Sequence, residues 1–119
     1  MMDRYLNVRF DSAYSREVAT AKLLDLVQTF PELKQIDKLQ FENKEGFPYG
    51  IVSLIQCDAQ GCFSFNRGDY FENVNLVEFL IPDTEEAVSH YLKLAKRITE
   101  MLQWELVDAD TDEVLIEGK

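Results

Sequence analysis

Residues 74–102 read VNLVEFLIPDTEEAVSHYLKLAKRITEML, a strand followed by a helix. Over 74–81, Val77, Phe79 and Ile81 mark one face and Leu76 and Leu80 the other, the two-residue period of an extended chain. Glu78 interrupts the second face, so that face is expected to be partly open to solvent. Pro82 ends the strand, and Asp83 with Glu86 three residues on makes an aspartate form of the capping box. The helix it opens has an apolar stripe of Ala87, Tyr91, Ala95, Ile98 and Leu102, widened by Val88, Leu94 and Met101. Lys93, Lys96 and Arg97 lie toward its C-terminal half, where cations favour the macrodipole.

Upstream, Leu6, Val8 and Phe10 alternate with Tyr5, Asn7 and Arg9, which predicts a half-buried strand over 5–10. Ser12 and Ser15 offer N-cap oxygens to a first helix whose face is Ala19, Leu23, Leu26, Val27 and Phe30. Pro31 disfavours helical geometry at Phe30 and closes it. Residues 32–38 read equally as a helical turn or an extended connection. Leu39 and Phe41 make a short strand, residues 46–50 (GFPYG) a loop, and 51–57 a nearly continuous apolar run of a strand well inside the sheet. The turn residues Asp58 and Gly61 predict a hairpin into a strand over 62–65. The end of the chain reads as another hairpin, 104–107 and 114–116 around the turn 108–112.

Two helices with one apolar face each suit one side of a sheet, so the predicted fold is α+β: a two-layer α/β sandwich, with both helices on one face of a mainly antiparallel sheet. The order of elements is compatible with an elaborated ferredoxin-like arrangement, and residues 1–119 are expected to form a single domain.

Composition narrows function less than fold. Twenty-two acidic against 12 basic residues give a formal charge of −10, which disfavours nucleic acid and anionic membranes and favours a neutral or basic protein partner; a homo-oligomer is compatible with it. The N-terminus lacks the basic start and apolar run of a secretory signal, and the two cysteines do not make a disulfide framework, so a cytoplasmic location is expected.

Familiar chemical motifs are missing: no Gly-rich phosphate loop, HExxH, CxxC or GxSxG occurs. Asp108, Asp110 and Asp112 have the spacing that opens a calcium loop, but Glu113 stands where a glycine is needed and Lys119 where a bidentate glutamate is needed. Cys57 and Cys62 flank the predicted turn and are read as half-buried thiols, with pairing across the hairpin left open. His90 follows Glu86 by four residues and is read as its helix-surface partner. No metal or cofactor is expected.

The expected partner-binding residues are Arg67, Asp69, Tyr70, Phe71 and Glu72, which set two adjacent aromatics among charges on a loop, together with Phe47 and Tyr49. Aromatics usually find burial, so the same rings folding back onto the core is the competing and slightly favoured reading. The function read from this pattern is a non-enzymatic acidic protein-binding domain of inhibitor or immunity type. The alternative is a small enzyme or ligand sensor with a pocket between sheet and helices, using Cys57, Cys62, His90 and nearby carboxylates.

Overall fold

The computed structural model describes residues 3–57 and 70–118. Seven antiparallel strands form one sheet in the order β3-β4-β5-β7-β1-β8-β9: β1 (Asp3–Arg9), β3 (Leu33–Asp37), β4 (Gln40–Asn43), β5 (Ile51–Ile55), β7 (Leu76–Pro82), β8 (Glu105–Asp108) and β9 (Val114–Ile116). A separate two-stranded pairing joins β2 (Val18–Ala19) to β6 (Asn73–Val74). The helices are α1 (Thr20–Val27) and α2 (Glu85–Leu102).

The fold is therefore α+β, with a large antiparallel sheet and, among the described residues, two helices. At its centre, β7 lies between β1 and β5, and β1 lies between β7 and β8. The extra strands β3, β4 and β9 make the sheet larger than a four-stranded ferredoxin-like one.

Period-two alternation decides which residues meet. Leu6 pairs with Phe79 and Val8 with Val77 and Leu106, while Val52 and Leu54 face the same two β7 residues from the other side. All seven are fully buried, in one cluster with Leu23, Val27 and Phe30 around α1 and Tyr91, Leu94, Ala95 and Ile98 of α2. Leu102 packs on its edge, half-buried. The Arg97 guanidinium lies 4.6 Å from the Phe30 ring centroid, a cation–π contact joining α2 to the chain after α1.

On the opposite face Glu78 sits in register between Asn7 and Ser53, and Gln40 donates to Ser53 at 3.1 Å. Glu78 is half-buried, and desolvation pushes its carboxyl above the usual range.

Several local expectations are corrected. Ser12 and Ser15 do not cap α1: the Ser15 hydroxyl donates to Asp11, and the helix starts at Thr20 because Val18 and Ala19 are held in strand pairing with Val74 and Asn73. The helix ends at Val27, and a tighter turn, Thr29 N–H to Leu26 and Phe30 N–H to Val27, carries Phe30 into the core. Of the two readings left open for residues 32–38, the extended one holds: Leu33–Asp37 pairs with β4. The N-cap of α2 is Thr84, which accepts from the Ala87 amide at 3.1 Å, so Asp83 lies one residue before the cap. The strand expected over 74–81 is broken at Asn75. That buried side chain accepts from the Cys57 amide at 2.9 Å and donates to the Cys57 carbonyl at 2.8 Å, standing in for a strand's backbone. The strand expected over 62–65, with Cys62, lies outside the described residues.

Candidate functional site

The loop before β6 is held from α1. Thr20, fully buried, donates its amide to the Glu72 carbonyl at 2.9 Å and its hydroxyl to the Phe71 carbonyl. With the backbone fixed there, the two adjacent rings part: Phe71 packs against the core, while Tyr70 remains 45% exposed and Glu72 is exposed. The predicted aromatic pair thus has one ring for stability and one for solvent. Arg67 and Asp69 lie outside the described residues.

The loop before β5 repeats this division. Asn43 donates to the Phe47 carbonyl at 3.2 Å and accepts from the Gly50 amide at 3.4 Å, and the Tyr91 hydroxyl donates to the Pro48 carbonyl at 2.8 Å. Phe47 turns inward, edge-on to His90 at 5.3 Å and to Tyr91 at 5.1 Å between centroids. Tyr49 is 52% exposed. Desolvation, with a smaller contribution from Tyr49, pushes the Tyr91 phenol well above its ordinary value. The two loops lie at opposite ends of β5, so Tyr49 and Tyr70 present two separated aromatic positions.

The contact expected between Glu86 and His90 is replaced by the ring contact of His90 with Phe47; among the described residues no ion pair joins the two. Cys57 is buried beside Asn75, at the end of β5 away from Phe47 and His90. The acidic turn is organised by Asp108. One carboxylate oxygen accepts from the Asp110 and Thr111 amides at 2.9 and 3.2 Å, and the other from Arg4 Nε at 2.9 Å. Burial pushes this carboxyl up, but the two amides and the guanidinium outweigh it and hold the pKa below the usual range. Among the described residues no group of three or more His, Cys, Asp or Glu is placed to hold a metal ion.

The interface between sheet and helices is filled by Phe30, Phe41, Phe79 and Tyr91. Open space lies on the outer flank of α2. A cleft of about 390 Å³ is lined by Arg4, Asp83, Thr84, Glu85, Val88, Ser89 and Leu92, and one of about 220 Å³ lies nearer the helix C-terminus, between Lys96, Gln103 and Ile116. Arg4 was missed by the sequence reading, although its position two residues before Leu6 already places it on the helix-facing side of β1.

Among the described residues no helix is long and apolar enough to cross a membrane. Comparison with models of known families, with curated proteins and with solved structures finds no match.

Proposed function

We propose that this chain is a non-enzymatic protein-binding domain whose acidic surface presents tyrosines on anchored loops to a neutral or basic protein, as an inhibitor or immunity-type protein does. The observation that carries this reading is the division between Phe71, packed on the core, and Tyr70, 45% exposed immediately before the backbone that Thr20 holds at Phe71 and Glu72. A tyrosine side chain, with few rotatable bonds, offers contact area at low conformational cost, and its hydroxyl finds a partner at a wet rim. The net charge of −10 selects against acidic partners, nucleic acid and anionic membranes. We also place the protein in the cytoplasm, on its cysteine content, and read β5, β7, β1 and β8 as an elaborated ferredoxin-like core.

The test is site-directed photocrosslinking in native lysate. A photoreactive phenylalanine analogue at position 70 is expected to capture one stoichiometric protein, while the same group at position 110, on the exposed β8–β9 turn, captures none. Equal, heterogeneous adducts from both positions would contradict the reading.

A further inference from the structure

The flank of α2 that faces away from α1 borders open space, and the apolar residues there, Val88 and Leu92, also pack on the edge of the core. Val88 and Leu92, one turn apart, are half-buried and form the apolar wall of the 390 Å³ cleft. The smaller cleft begins at Lys96, one turn beyond Leu92, so both open along one side of an 18-residue helix about 27 Å long.

Among the described residues lining this flank, acid outnumbers base once paired groups are set aside. Arg4 is held by Asp108 at 2.9 Å, a carboxylate whose side chain is only 4% exposed, so that guanidinium is largely neutralised. Asp83 reaches Arg4 only at 3.9 Å and is itself 47% exposed. Glu85 at the first cleft, and Glu100 and Glu117 at the second, add acid against Lys96, the one ammonium among the described lining residues. An apolar wall with an acidic rim matches a side chain with an aliphatic stem and a cationic head, since the stem lies on Val88 and Leu92 while the head reaches Asp83 and Glu85.

From this charge complementarity we infer that the outer flank of α2 is a docking groove for a lysine- or arginine-bearing amphipathic segment of a partner protein. The groove is a second surface. It stands on the Val88–Leu92 wall and its acidic rim, not on Tyr70, and the two fail separately: loss of the photocrosslink at position 70 leaves this inference intact.

The experiment is amide-resolved NMR titration of the whole chain with synthetic helical peptides. The probes are an amphipathic Lys/Leu peptide, its Glu/Leu counterpart and a Lys/Ser peptide without an apolar face. The Lys/Leu peptide is expected to shift the amides of Glu85, Val88, Ser89 and Leu92 saturably, and to bind more weakly as salt screens the rim. Ser89 is exposed, so Ser89→Arg is compatible with folding. It should weaken binding about tenfold by filling the cleft and reversing its charge. Ala21→Arg makes the same charge change on an exposed position of α1 and should leave the affinity within about twofold.

Equal binding of the Lys/Ser peptide, with shifts spread over the acidic surface, would show charge attraction without a groove and overturn the inference. So would equal binding of the Glu/Leu peptide, absence of saturable shifts, or the same amides shifting with protein concentration alone, which would assign the flank to a second copy of the chain.

Discussion

A Cβ atom at Gly50 would lie 2.3 Å from both Cζ and Oη of Tyr91. The ring has no room to yield. It is bracketed by Phe47 at 5.1 Å and Phe79 at 6.2 Å between centroids, and its hydroxyl is tied to the Pro48 carbonyl at 2.8 Å. Gly50 is thus what lets the chain enter β5 directly beneath Tyr91, and this contact fixes the loop that exposes Tyr49. We predict that Gly50→Ala destabilises the fold by about 1 to 3 kcal/mol through overpacking. Adding Tyr91→Phe removes one of the clashing atoms, so the double variant should recover part of the loss in a thermal or urea melt. Strict additivity of the two changes would contradict the contact.

Glu78 makes stability depend on pH in a defined direction. Burial raises its folded-state carboxyl pKa above the unfolded value near 4.5, so its favourable contribution is complete below that value and is lost as pH rises through the raised one. Glu78→Gln should therefore raise the melting temperature at pH 7 and change it little near pH 4. Equal effects at both values would show that ionisation of Glu78 is not the cause.

Asp108 has the opposite sign. Its folded-state pKa lies below the unfolded value near 3.8, so its contribution is present above that value and lost as pH falls through the lower one. Asp108→Asn removes the charge that Arg4 and the turn amides stabilise, and should cost about 1 to 3 kcal/mol at pH 7. The gap to the parent should narrow under acid. Because both carboxylate oxygens already accept hydrogen bonds, micromolar calcium should leave the melting curve of the parent unchanged; a sharp rise reversed by chelator would contradict this turn geometry.

The core was the legible part of this molecule. Leu6 and Val8 alternate with the polar Asn7, and Tyr91, Leu94, Ala95 and Ile98 keep helical spacing, so burial follows directly from period. Leu23→Ala should accordingly cost about 2 to 5 kcal/mol. What the sequence concealed were substitutions of side chain for backbone and of tertiary pairing for local preference. Asn75 looks like an ordinary strand residue but bonds the Cys57 backbone. Ser12 and Ser15 look like caps, but the β2–β6 pairing postpones α1 to Thr20. Strand 33–37 was ambiguous because only its first residue, Leu33, is buried, as suits an edge strand, which shows little alternation. At the candidate surfaces, composition placed aromatics in both loops without saying which way each ring turns. The backbone of those loops is held by Thr20 and by Tyr91, residues remote in sequence from the carbonyls they bond.

The most direct test of the proposed binding surface compares Tyr70→Ala with Phe71→Ala, measuring the thermal midpoint and, in the same samples, capture of the protein crosslinked from position 70. Tyr70→Ala is expected to reduce capture about tenfold or more, as loss of an aromatic anchor does, while leaving the midpoint within about a degree. Phe71→Ala, which opens a void against the core, is expected to lower the midpoint clearly. A Tyr70→Ala protein that captures the partner like the parent, or that loses stability as Phe71→Ala does, would contradict the account.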